Sequence, residues 1–69
     1  MDDPATLFEA AIAFEKRAVQ FFGSCVADAP AGSVERQLYR ELAAEVTEHV
    51  AILETELRRW VEGKEGLVA

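Results

Sequence analysis

Glu15, Glu45 and His49 are the side chains of this chain best spaced to do chemistry together. Phe8, Ile12, Glu15, Val19, Phe22 and Val26 recur at intervals of four and three, so they line one side of a helix on which Glu15 is the only polar member. Leu38, Leu42, Glu45, His49, Ile52 and Glu56 repeat the pattern in the second half, with Glu45 and His49 at its centre. A reversal near Pro30 puts Glu15 about 15 residues before the turn and Glu45 about 15 after it, each roughly 22 Å along its helix. The expectation is that the three groups meet at one level. Unpaired buried charges cost several kcal/mol, so two carboxylates and an imidazole converging in a packed interior imply an ion-pair network or a bound metal.

Two helices and one turn must position these groups. Asp3 before Pro4 predicts an N-cap with proline at the first helical position, and the apolar period runs from there to about Val26. Residues 27–33 break it, with Pro30 and Gly32 as punctuation and Ser33 as the cap of a second helix. That helix is expected over about 34–62, with Glu35 in its first turn, where the helix dipole favours an acid. The tail 63–69 has no strong period and is expected to fray. Neither helix is repeated within the chain.

Composition narrows what the pair of helices can be. The 69 residues form one domain at most, and 51% of them are apolar, too many for a disordered tail. No apolar stretch approaches the ~20 residues of a membrane span. The acidic start lacks the basic region of a secretory signal and predicts a cytoplasmic protein, and Cys25 stands alone, so no internal disulfide is possible, which fits a reducing compartment or the inside of another container. A net charge of −6 disfavours nucleic acid and anionic membrane as partners, while leaving cation binding open.

Each helix nevertheless carries a second apolar seam beside the first. Leu7, Ala11, Phe14, Ala18, Phe21 and Cys25 form one, and Tyr39, Ala43, Val46, Val50, Leu53, Leu57 and Trp60 the other. Two adjacent seams need at least two packing neighbours, and a hairpin supplies one. The predicted fold is therefore all-α: a two-helix antiparallel hairpin that dimerises with a second copy into a four-helix bundle, or enters a higher assembly. Phe21, Phe22, Tyr39 and Trp60 read as packing residues of that core, and Cys25 as a small buried hydrophobe.

The run from Leu7 to Phe22, LFEAAIAFEKRAVQFF, resembles the first helix of rubrerythrin-like proteins of the ferritin superfamily, where a glutamate is followed by a small residue and then an aromatic pair. The run from Leu42 to Leu53, LAAEVTEHVAIL, resembles their second helix with its Glu-His pair. The resemblance covers most of both helices, about half of an ordinary ferritin-like domain. It implies a di-iron carboxylate site, with Glu15 as the glutamate of the first helix and His49 as the histidine of the Glu-x-x-His motif. The chain departs from the motif at Val46, where the family pattern places a metal-binding glutamate. Glu45, four residues before His49 on the same seam, is the candidate substitute, and Glu48 the next.

No serine or cysteine with a supporting base, no phosphate loop and no cysteine metal cluster is present in the sequence. Two readings follow. In one, the chain is a ferritin-like metal-binding protein, with iron held between protomers and ferroxidase or peroxide-reducing activity fed by an unnamed electron donor. In the other, it is a non-catalytic ferritin-like module for dimerisation or partner binding, whose Glu15, Glu45 and His49 form a polar network that fixes register. Taken singly, His49 is equally a surface histidine with Glu45 one turn away, and Glu15 a charge at the edge of a wide apolar stripe.

Overall fold

Local chemistry at residues 29–33 decides the topology. Ala29 is extended (φ −77°, ψ 147°), the conformation that the ring of Pro30 imposes on the residue before it, so the first helix stops there. Its amide still donates to the Cys25 carbonyl at 3.0 Å. Ser33 N then donates to Pro30 O at 3.1 Å, and Gly32 adopts φ 75°. A left-handed residue in the third place of a hydrogen-bonded four-residue turn is the type II pattern, which glycine adopts without steric cost. The Ser33 hydroxyl accepts from Arg36 N at 3.1 Å, capping the helix that follows.

The computed structural model describes the backbone of residues 3–68 and the side chains of residues 3–63. Helix α1 is Pro4–Asp28 and helix α2 is Val34–Val68, packed side by side, with no strand among the described residues. Asp3 occupies the N-cap of α1 with Pro4 behind it, but its side chain makes no capping hydrogen bond; the Asp3 carbonyl instead accepts from Leu7 N at 3.1 Å. Helix α2 continues six residues past the expected end at Glu62. The reason lies at Gly63, which does not take the positive φ that would terminate a helix. Glycine inside a helix costs about 1 kcal/mol relative to alanine, which weakens a helix without ending it. Of the expected frayed tail, residues 63–68 have helical backbone and Ala69 lies outside the described residues.

The seam that α1 turns toward α2 is the one containing Glu15: Phe8, Glu15, Val19, Phe22 and Val26 are half-buried and Ile12 is buried. Helix α2 answers with Tyr39, Ala43, Val46, Val50, Leu53 and Leu57. Near the loop Phe22 stacks on Tyr39 with ring centroids 6.5 Å apart, and Phe21 meets the edge of Phe22 at 5.5 Å. Only Ile12 and Val50 are buried among the described residues. The molecule measures 55 × 19 × 13 Å, and its radius of gyration of 16.2 Å exceeds the ~11 Å of a compact domain of this length.

The turn chemistry gives a first test. Gly32→Ala forces an L side chain into the left-handed region, where about 1–2 kcal/mol is lost. Denaturant unfolding at fixed protein concentration should show that loss, whereas Ala31→Gly should change stability by well under half as much.

Candidate functional site

The structure separates the three groups that the sequence pattern brings to one level. Helix α2 presents to α1 the seam Tyr39, Ala43, Val46, Val50, Leu53 and Leu57, and the neighbouring seam with Glu45 and His49 stays outside the hairpin. The physical preference is direct: the first seam is apolar throughout, while burying the second against α1 would desolvate Glu45, His49 and Glu56 together. Val46, three residues before His49, is therefore a packing residue of the hairpin. Glu45, Glu48 and His49 are exposed, whereas Glu15 is half-buried in the seam.

The heights differ as well. Lys16 Nζ lies 3.5 Å from Glu54 Oε2, and both side chains are more than half exposed, so the pair contributes at most ~1 kcal/mol. It fixes the register nonetheless: the level of Glu15 corresponds to the stretch of α2 around Val50–Glu54. Val19 and Gln20 border the same recess as Thr47 and Val50. Glu45 is nine residues nearer the loop than Glu54, roughly 13 Å at helical rise. Counting equal numbers of residues from Pro30 therefore does not reproduce the register of the two helices. Among the described residues, no three His, Cys, Asp or Glu side chains of one chain come together as a metal-binding group.

The Lys16–Glu54 pair also tells which edges of the two helices share a face. Both residues follow an inward one, Glu15 and Leu53, so the edge one step after each seam lies on one side of the hairpin. There Glu9, Lys16, Glu54, Arg58 and Glu62 rim an open recess of about 640 Å³ over Ile12 and Leu57. The edge one step before each seam must lie on the opposite side. On α1 that edge is Leu7, Phe14 and Phe21; on α2 it is Leu38, Glu45, His49, Ile52 and Glu56. Phe14 is 64% exposed, Phe21 63% and Ile52 58%, with Leu7 and Leu38 also more than half open. The hairpin thus has a charged face and an open apolar face, and His49 and Glu45 stand in the middle of the apolar one.

Comparison with protein-family models, with curated proteins and with solved structures finds no match to this chain.

A di-iron carboxylate centre needs several carboxylates and imidazoles around one point. One chain does not furnish it: Val46 has no donor atom, Glu15 lies between the helices, and Glu45 and His49 lie on another face. Spacing identified the polar residues of the two seams and put Ile52 beside His49, but the structure adds Phe14 and Phe21 as exposed residues of the same face. Their signal was present in the sequence as the second seam of α1, which continues across the face into the α2 seam holding His49.

Glu15 has no hydrogen bond or ion pair among the described residues despite being half-buried. Replacing it with an apolar residue makes the seam continuous from Ile12 to Val19. Glu15→Leu should therefore raise stability by ~1 kcal/mol or more, read from denaturant midpoints at constant protein concentration. A destabilised variant would mean that the carboxylate has a partner in the working protein.

Proposed function

We propose that the chain is an assembly module, a half-bundle that completes itself with a second copy into a ferritin-like four-helix bundle. The open apolar face carries this reading. The chain exposes 5252 Å², about 1,000 Å² more than the roughly 4,300 Å² of a compact monomer of its mass. A standard protein interface takes about 800 Å² from each partner, so the surplus is what one dimer contact would remove. Both edges of the open face also have alternating spacings of four and three, the pattern for interdigitated helix packing. No described helix is long and apolar enough to cross a membrane, so a bilayer-spanning role for this surface has no support. A reducing, cytoplasmic setting suits the unpaired Cys25.

One observation favours a second function within the same assembly. Glu45 and His49 sit on the face that a second copy would cover, so closing the bundle brings two carboxylates and two imidazoles, one pair from each copy, into a shared interior. In the rubrerythrin-like reading these residues, with Glu15 and Glu48 as further candidates, bind a divalent metal, iron by resemblance, across the dimer. Bound iron would supply ferroxidase or peroxide-reducing chemistry. Since one chain lacks the family's ligand at Val46, the metal reading stands or falls with assembly.

Light scattering across a micromolar dilution series should give at least twice the chain mass. Phe14→Asp should weaken association by tenfold or more while each chain remains helical by circular dichroism, because a buried phenylalanine contributes about 1.5–3 kcal/mol. A wild-type protein that is monomeric at every concentration would overturn the assembly reading.

For the metal, His49→Ala should lower the iron content of protein from iron-supplemented cells several-fold with the assembly intact. Val46→Glu, which restores Glu-x-x-His, should lower apo stability by replacing a packed valine and then recover stability on iron addition, since metal bound to the folded state shifts the equilibrium by mass action. Equal and negligible iron in wild type and His49→Ala, with no rescue of Val46→Glu, leaves the assembly role alone.

A further inference from the structure

The α1 edge of the open face, Leu7, Phe14 and Phe21, is uncharged, whereas the α2 edge carries the exposed Glu45, His49, Glu56 and Arg59 around Ile52. Packing α1 of one copy on α2 of another would desolvate Glu45 and Glu56 against phenylalanine with no partner. A twofold axis running across the helices avoids this: the loops lie at opposite ends, α1 covers α1, and the charged residues of α2 meet only α2. Arg17 comes near its own copy in that arrangement, but it is exposed at the outer margin of α1, where water and salt screen the two charges.

The hairpin also narrows where the axis crosses. Helix α1, Pro4–Asp28, overlaps its copy along its full length when the axis passes its middle residue, Lys16. Lys16 Nζ reaches Glu54 Oε2 at 3.5 Å, and Lys16 borders a recess with Thr47 and Val50. Between Thr47 and Glu54 the open-face residues of α2 are His49 and Ile52. A residue on a twofold axis meets its own copy, and residues equally far on either side meet each other. An axis at His49 would set imidazole on imidazole and bring Glu56 level with Leu42, each seven residues away. At Ile52 an apolar side chain meets itself and opposites meet around it. Glu45 and Arg59 each lie seven residues from Ile52, so Glu45 of one copy comes level with Arg59 of the other. His49 lies three residues to one side and Glu56 four to the other, within about 1.5 Å of a common level.

We propose that two copies close with their loops at opposite ends about a twofold axis at Ile52, joined by two symmetric clusters in which Arg59 of one copy meets Glu45 of the other and Glu56 meets His49. Within each chain Arg59 already stands 3.2 Å from Glu56, which links the two pairs into one cluster of four. That intrachain pair is weak while its arginine is 72% exposed, and covering the cluster strengthens it. The inference rests on the self-association proposed above and adds its register and its charged contacts, which form without a cation.

Two charge reversals test the pairing. Glu45→Arg sets arginine against arginine in both clusters of its own dimer, and Arg59→Glu sets carboxylate against carboxylate. Each should weaken its homodimer several-fold while the chains stay helical by circular dichroism. An equimolar mixture of the two variants restores opposite charges in each cluster, so native mass spectrometry should show mainly the heterodimer. Glu9→Arg, the same charge change on the opposite face, should show no such preference when mixed with Arg59→Glu. Spin labels on Ala31→Cys in a Cys25→Ser background report the orientation, because Ala31 is exposed in the loop. Loops at opposite ends put the labels about 40 Å apart along the bundle, at 1.5 Å per residue on either side of Lys16. Loops at one end would bring them within about 25 Å, given interaxial spacings of 8–10 Å. A dimer with the short distance overturns the orientation and leaves self-association standing. The long distance without a heterodimer preference beyond the Glu9→Arg control overturns the charged clusters. A monomeric wild type overturns both proposals.

Discussion

Everything about this molecule follows from apolar surface in excess of what one hairpin can cover. Each helix presents two adjacent seams with alternating four- and three-residue spacing, and the contact between α1 and α2 uses one seam of each. Packing a long helix against one neighbour leaves a structure one helix-diameter thick, as the 55 × 19 × 13 Å dimensions express. A chain of 69 residues in that shape has almost no interior, and only Ile12 and Val50 are buried among the described residues, neither of them completely. Small domains bury a smaller fraction of their surface than large ones, and this shape worsens the ratio. In the proposed assembly stability and association would be one property, because the contact that completes the core would be the contact with a second copy.

Within that constraint, the choice of which α2 seam meets α1 governs where the chemistry sits. Tyr39, Ala43, Val46, Val50, Leu53 and Leu57 can be desolvated freely, so they take the contact available within the chain. Glu45, His49 and Glu56 are left exposed on the second face, where water solvates them. Glu15 is the exception, a carboxylate held in the intrachain seam without a partner among the described residues. A local violation of the apolar pattern inside otherwise consistent packing is the kind of feature that function, rather than stability, retains.

The two helices, the turn and its chemistry were legible from residue types alone. Pro30 fixes the extended conformation before it, Gly32 takes the left-handed position, and Ser33 caps α2, each for a reason local to a few atoms. The excess of seams was legible too, because it is a count of faces. What periodicity could not decide was which of two adjacent seams faces inward, since they differ by one residue step, about 100° on the helix. It also could not fix the axial register, in which Lys16 reaches Glu54, Val19 and Val50 border one recess and Phe22 stacks on Tyr39, so that the level of Glu15 falls beyond Glu45 along α2. The end of α2 was missed for a simpler reason: Gly63 suggested a stop, but a glycine ends a helix only when its φ turns positive, and here it does not.

These corrections change what the resemblance to a rubrerythrin-like protein can mean. In a full-length bundle of that kind, inward-facing carboxylates and histidines come from four helices of one chain. On that resemblance the ligand position falls at Val46, which packs in the hairpin contact, while the other candidate donors, Glu45 and His49, lie exposed on the open face. Any metal chemistry is thereby made conditional on association: the donors of one copy are dispersed and solvated, and concentrating them requires covering Phe14, Phe21 and Ile52 at the same moment. The same apolar side chains that drive assembly would also exclude water from the imidazoles, raising the electrostatic cost of leaving Glu45 unpaired. A cation and the second copy would then reinforce each other through the folded dimer, whereas a purely structural polar layer would satisfy Glu45 from His49 and need no cation.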